Sequence, residues 1–360
     1  MRADGRRRSG IRARHVRPRR RGYEDKDDDC AARRAAVLLR AGAGQGAIVS
    51  GAAPLAAGGD RRPVLSVGAL TCDLMFNVAA LPHGPGKFLA GGATMVAAGM
   101  ATSAAIAVAR LGRPVALWAS AGDDGLGDFL VGALAREGID PAHVRRVPAT
   151  MSATASIIVA ADGERIVVPY YAPALMDAPA AVPPIADGAF AAVLADVRWP
   201  AAAALALDAA RSAGVPGILD LDVGRAEILA DLAPRASHIA ASLAGAAILT
   251  GADSLDAAAA GLHERFGATI IVTGGEAGLA FVQDGAVRRM PAFAVEAVDT
   301  NAAGDVFHGA FAVALADGLA LEAALTFASA AAAIKCTRHG GPRGAPARAE
   351  VLAFLQERET

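Results

Sequence analysis

Asp299-Thr300-Asn301-Ala302-Ala303-Gly304-Asp305 (DTNAAGD), running straight into the apolar stretch 306–315, is the most informative segment of this 360-residue chain. It joins a turn of small residues, a carboxylate and the start of a long alanine-rich helix. A helix N-terminus carries unpaired N–H groups and a partial positive charge, so it stabilises an anion placed on its axis. Small side chains at 302–304 let that anion approach the backbone, and Asp305 at the rim is placed to take a proton from a hydroxyl. An anion cradle beside a base is what phosphoryl transfer to an alcohol needs. The same residues also read as an ordinary Asp-capped helix.

Around this segment, strand and helix patterns alternate. Residues 63–70 (PVLSVGAL) form a buried-strand pattern followed by Thr71-Cys72-Asp73, and 99–111 an alanine-rich helix stopped by Gly112. Further strands are expected at 115–120, 190–196, 217–222, 238–241 and 269–273, with helices at 125–137, 201–213, 243–250 and 254–266. This alternation predicts an α/β fold with a mostly parallel sheet covered on both faces. Ligands then sit beyond the strands' carboxyl ends, where Asp73, Asp196, Asp222 and Thr273 fall. One segment breaks the series: 152–159 and 165–171, joined through Asp162-Gly163, read as a β-hairpin. It is either a lid that excludes water from a reacting phosphoryl group or a simple edge hairpin.

Composition bounds the rest. Apolar residues make up 54% of the chain but aromatic ones only 4%, so the core must come from Val, Leu, Ile and closely packed alanine helices. A net charge of −1 argues against nucleic acid as the main partner. Cys30, Cys72 and Cys336 lack metal or redox spacing, which predicts free thiols in a reducing cytoplasm, and no stretch has the character of a membrane span. Residues 1–62 split into an Arg-rich head, an acidic knot (Asp25, Asp27, Asp28, Asp29) and an Ala/Gly stretch. They read as a disordered extension or an over-long start of translation, ahead of a basic arm or an organelle-targeting sequence.

The layout from residue 63 to about 355 resembles the PfkB/ribokinase family of sugar kinases, whose C-terminal signature, usually DTxGAGD, stands here as DTNAAGD. Within that family it is most similar to sulfofructose kinases, which phosphorylate 6-deoxy-6-sulfofructose on its 1-hydroxyl with ATP. The likeness rests on 195–199 (ADVRW), 305–310 (DVFHGA), 327–338 (FASAAAAIKCTR) and Pro85-Gly86-Lys87-Phe88. The resemblance implies a ribokinase-like three-layer α/β/α kinase domain over 63–360, with a small β lid from about 74–98 and 152–171. It implies ATP and Mg²⁺ as cofactors, with no metal held by a dedicated protein cage. Because lid hairpins in this family often pair between subunits, a homodimer through the lid is expected too.

Carried over by position, Asp305 resembles the family's base, and Ala302, Ala303 and Gly304 its anion hole. Asp73 and Gly99 match positions that hold the sugar, while Arg198 and Lys87 match those around a substrate sulfonate. Thr273, Gly274 and Gly278 resemble the nucleotide-binding turn, with Ala332, Lys335 and Cys336 forming part of the adenine pocket. The departures are Ala302 for a glycine, Ala97-Ala98-Gly99 for a sugar-contacting di-glycine, Pro169 for an asparagine, and Leu243 for a carboxylate linked to metal and phosphate. Two readings follow: a working ATP-dependent kinase for an anionic ketose, a neutral sugar or a keto-deoxy sugar acid, or a weakened kinase fold that binds sugar or nucleotide. His238, His308 and His339 read as packing or surface residues.

Overall fold

A computed structural model describes residues 60–161 and 164–359. Most of the extension expected over 1–62, and the Asp162-Gly163 turn, therefore lie outside the described residues. In chain order the elements are β1 (Val64–Gly68), β2 (Thr71–Val78), β3 (Gly92–Ala98), α1 (Met100–Arg110), β4 (Val115–Gly122), α2 (Gly125–Arg136) and β5 (Val144–Val147). Then come β6 (Thr154–Ala160), β7 (Arg165–Tyr170), β8 (Ala192–Ala195), α3 (Pro200–Ala213), β9 (Gly217–Leu221), α4 (Ala226–Leu232), β10 (His238–Ser242) and α5 (Leu243–Thr250). The chain closes with α6 (Leu255–Phe266), β11 (Thr269–Thr273), β12 (Leu279–Gln283), β13 (Ala286–Met290), α7 (Ala303–Ala316), α8 (Leu321–Cys336) and α9 (Arg348–Glu359).

Parity along the strands decides which layer each residue joins. Val64, Leu117, Ile218, Ala240 and Ile271 pack into one core with α1, α7 and α8. Leu65, Val67, Trp118, Leu219, Ile239 and Ile270 point the other way, into a core with α3 and α6. Strands buried on both faces read as continuous apolar runs, which is why the sequence showed them so clearly. The main sheet has nine strands in the order β13-β12-β11-β10-β9-β8-β1-β4-β5. It is parallel from β11 to β5, with β12 and β13 antiparallel at one edge.

The expected three-layer α/β/α architecture is therefore present. The chain leaves β1 towards β4 and β5 and returns on its other side at β8, so the crevice beyond the carboxyl ends of β1 and β8 is the switch point where such folds bind ligands. Close alanine packing serves the same region. A Cβ built on Gly309 of α7 would lie 2.4 Å from the Ala104 carbonyl of α1, so a glycine is what lets the two helices meet.

A second sheet, β3-β2-β6-β7, stands apart from the first. β2 pairs antiparallel with β3 and parallel with β6, and β6 and β7 form the expected hairpin with Ile158 opposite Ile166. Asp73, expected just past the first strand, lies inside the next one, β2, opposite Val96 and Ala155. The strands β5 (VRRV) and β13 (AVRRM) went unread because paired arginines interrupt their apolar pattern.

Candidate active site

The turn into α7 is built as its residue sizes suggested. Ala302 caps the helix with φ 62° and ψ 15°, a left-handed conformation that costs a residue with a Cβ about 1–2 kcal/mol and a glycine almost nothing. The strain is retained because the turn closes around it: Ala303 N–H donates to the Thr300 carbonyl (3.2 Å) and Val306 N–H to that of Ala302 (2.9 Å). Among the described residues, the Gly304 and Asp305 N–H groups bond no carbonyl, and nothing stands within 4 Å of where a Cβ on Gly304 would be. Two free donors at the positive end of a fourteen-residue helix make an anion cradle.

Asp299 ties this turn to the end of α8. Its carboxylate accepts N–H groups of Asn301 (2.8 Å), Gly340 (3.1 Å) and Gly341 (3.0 Å), while its own N–H donates to the Cys336 carbonyl (3.1 Å). Lys335, fully buried, donates from Nζ to the Asp299 carbonyl (2.5 Å) and stands 3.4 Å from its carboxylate. Burial lowers the Lys335 ammonium's pKa, against the pull of Asp299.

Asp305 sits in a dense surround, though the residue as a whole is only half-buried. Burial first, then the like charges of Asp220 and Asp196, raise its carboxyl well above the ordinary range, with His308 and the Ser103 hydroxyl acting the other way. A carboxyl with a raised pKa is a stronger base once ionised, which suits it to take a proton from a hydroxyl.

The remaining candidates gather at the switch point. Gly99 opens α1 with φ 106°, and a Cβ there would fall 2.6 Å from the Ala69 carbonyl, so no other residue fits. Asp196, buried at the end of β8, accepts the N–H groups of Ala69 (2.8 Å), Ala101 (3.0 Å) and Arg198 (2.8 Å). Those bonds pin the end of β1, the start of α1 and the Arg198 backbone together. Burial raises the Asp196 carboxyl to about 6 despite them. Asp73, on β2, accepts from the Thr71 hydroxyl (2.8 Å), and burial raises its pKa.

The Arg198 guanidinium donates to the Val223 carbonyl (3.0 Å) and lies 3.9 Å from Asp222, too loosely held to be a closed ion pair. With Gly68, Ala69, Tyr171 and Trp199 it lines a small cleft. Tyr171 is a site neighbour that sequence reasoning missed. Burial raises its phenol, which also feels Arg198, Asp196 and Asp73, and no motif announced it.

Two other positions lie apart. Lys87 is exposed on the loop between β2 and β3, with no hydrogen bond or ion pair to the others among the described residues. Pro169 stands exposed on β7.

Thr273 ends β11, and the next turn is closed by Gly274 N–H donating to the Gly278 carbonyl (2.8 Å). Gly278 adopts φ 77°, with the Met290 carbonyl 2.2 Å from where a Cβ would be. Ala332 and Cys336 are half-buried on α8, whereas Lys335 turns its ammonium inward to Asp299.

No group of three or more His, Cys, Asp or Glu side chains able to hold a metal occurs among the described residues. Leu243 opens α5 and offers no ligand. The neighbouring Ser242 hydroxyl donates to Asp222 (2.8 Å), which leaves Asp222 as the accessible carboxylate at that place. A Mg²⁺ ion, which commonly takes only one or two protein carboxylates plus phosphate oxygens and water, fits such a site.

Comparison with known proteins places the chain in a family. The family model described as pfkB family carbohydrate kinase matches residues 61–348. A ribokinase from Haemophilus influenzae is 32% identical over 307 residues, covering 82% of this chain and 99% of that protein. A fructokinase from Klebsiella pneumoniae is 30% identical, covering 76% and 95%. A solved structure from Agrobacterium tumefaciens, provisionally named a ribokinase, is 43% identical with a TM-score of 0.80, covering 84% of this chain and all of the other.

Proposed function

The chain belongs to the pfkB family of carbohydrate kinases, and from that premise we propose that it transfers the γ-phosphoryl group of ATP to a primary hydroxyl of an anionic ketose of the 6-deoxy-6-sulfofructose type. The observation that carries this reading is a basic carboxylate, Asp305, adjoining two free N–H donors at the tip of α7. Asp305 takes the proton of the attacking hydroxyl, and the Gly304 and Asp305 N–H groups receive the charge on the phosphoryl oxygens. Asp73 and the Gly99 turn orient the sugar, and Thr273, Gly274 and Gly278 with Ala332 and Cys336 hold the nucleotide. Mg²⁺, held by the triphosphate with Asp222 behind it, would neutralise phosphate charge. The domain reading, an extension over 1–62 and a kinase domain over 63–360 with the second sheet as lid, forms part of the same proposal.

Substrate class rests on Arg198. A guanidinium offers several coplanar donors to a tetrahedral oxyanion, each charge-assisted bond being worth roughly 1.5–3 kcal/mol. Its loose hold on Asp222 leaves N–H groups to spare. Relatives named ribokinase and fructokinase favour a neutral sugar instead. A panel of sulfonated, carboxylated and neutral sugars with ATP and Mg²⁺ separates the two. For Arg198→Ala, KM for the anionic sugar is expected to rise at least about tenfold, with KM for ATP unchanged. An unaltered sugar KM, or preferred turnover of ribose or fructose by the wild type, removes the anionic assignment. If no sugar is phosphorylated and nucleotide still binds, the chain is a weakened binder.

The outer strand β7 leaves Val167, Val168 and Tyr170 at 47%, 61% and 50% exposure, on an unpaired sheet edge. Apolar edges of that kind call for a cover, and a second copy of the chain supplies one. Light scattering is expected to give a dimer mass that Val168→Lys reduces to a monomer; a monomeric wild type refutes the pairing.

A further inference from the structure

Resting on the reading of Asp305 as the base, we propose that His308 is a positioning residue for it: an imidazolium clamped by Asp220, one helical turn further along α7, supplying the positive charge in a cluster otherwise made of carboxylates.

The cluster is a product of three elements. Asp220 lies in the middle of β9, a central strand, and shares the parity of Ile218, which faces the α7 layer. It is 3% exposed. His308, 5% exposed, follows Asp305 by three residues, a spacing that puts both side chains on one face of the helix. Its Nδ1 stands 2.9 Å from the Asp220 carboxylate. The groups facing the imidazole are Asp220 from β9, Asp305 from its own helix and Asp222 just beyond β9; Asp196, from the end of β8, reaches Asp305. Among the described residues, the largest charge effects on the two groups come from carboxylates and from each other, not from a lysine or arginine.

Two physical points decide the charge. A carboxylate buried in a central strand with no cationic partner costs several kcal/mol, and the imidazole is the group in contact with this one. The contact is also close but badly aligned, so that neither ring nitrogen has a well-formed hydrogen bond. A neutral imidazole gains little from a bent contact, whereas attraction between opposite charges needs no alignment. Burial by itself would keep the ring neutral; Asp220, with Asp305 and Asp222 behind it, outweighs that and shifts the ring towards its charged form.

A core contact joining α7 to β9 would leave the pH dependence of catalysis where it was; a positioning charge would not. With His308→Asn the acid limb of the pH profile of kcat/KM is expected to move up by about 1–2 pH units, the reach of one charge at this range. At neutral pH kcat should fall at least about tenfold, with KM for ATP retained. A profile that superposes on the wild type overturns the proposal.

Ring ¹⁵N shifts of the unliganded wild-type protein, assigned by the resonance lost in His308→Asn, give a second readout. The ring should be charged at pH 7, and Asp220→Asn should bring its titration down; a neutral ring at pH 7 also overturns the proposal. Because this measurement needs no substrate, a chain that phosphorylates no sugar sinks the kinase reading while the ring's charge is still decided.

Discussion

Asp305→Asn is expected to lower kcat roughly 10²- to 10⁴-fold, the range that a positioned general base contributes, while nucleotide binding survives. The isosteric amide keeps the N-terminal turn of α7 and its free N–H groups but cannot accept the hydroxyl proton. The pH dependence carries the same signature. The folded-state pKa of Asp305 is raised, chiefly by burial and then by Asp220, so the base form appears only above the ordinary carboxylate range. Activity should therefore be lost as pH falls through that raised value, at a higher pH than an exposed aspartate would give.

Stability runs in the opposite direction. A group whose pKa is raised on folding contributes most below its unfolded value, and that contribution is lost as pH rises through the folded one. Above that raised value the ionised Asp305 is thus a liability to the fold, and there the asparagine variant should melt no lower than the wild type. Wild-type turnover by the variant, or an acid limb at the ordinary carboxylate position, would exclude Asp305 as the base.

The second large effect belongs to Lys335. In Lys335→Met the apolar stem is nearly preserved, but the Asp299 carbonyl loses its donor and the Asp299 carboxylate its charge partner. Breaking a buried pair by removing one member typically costs 3–5 kcal/mol. Here three N–H groups still hold the carboxylate, so the lower end applies. The expectation is a loss of about 3 kcal/mol in urea unfolding, more than a hundredfold in the folding equilibrium. The turn should loosen with it, since Asp299 opens the segment that ends at Asp305, and kcat should fall in the folded variant. If Lys335→Met keeps its unfolding midpoint but binds ATP poorly, the lysine belongs to the adenine pocket as its motif position suggested.

The contrast between these two residues explains how legible the site was. Asp305 could be read from the sequence as the proposed base because that reading follows from its neighbours along the chain: small residues, a turn, then a helix tip. Ala302 stood out as the departure from the family's glycine, and it adopts a left-handed conformation that a glycine takes without strain. Lys335 could not be read in this way. Its motif marked a neighbourhood, but the direction of its ammonium depends on Asp299, brought to it by the return of α8 past the turn. His308 reads from the sequence as a packing or surface residue, and it is buried; its charge partner lies on β9, which no spacing within α7 could reveal. Tyr171 had no motif at all.

What the sequence by itself determined was the alternation of buried strands and helices, the sorting of strand residues between two cores, and the turn of small residues that leads into α7. These follow from side-chain parity, helix period and turn chemistry, which act over a few residues. The tertiary structure alone decided which carboxylates share a buried space, where Arg198 and Lys335 spend their charge, and that Asp73 lies within the second sheet. A charge buried in a low-dielectric interior takes its character from whatever stands within a few ångströms, and the fold draws those neighbours from remote parts of the chain.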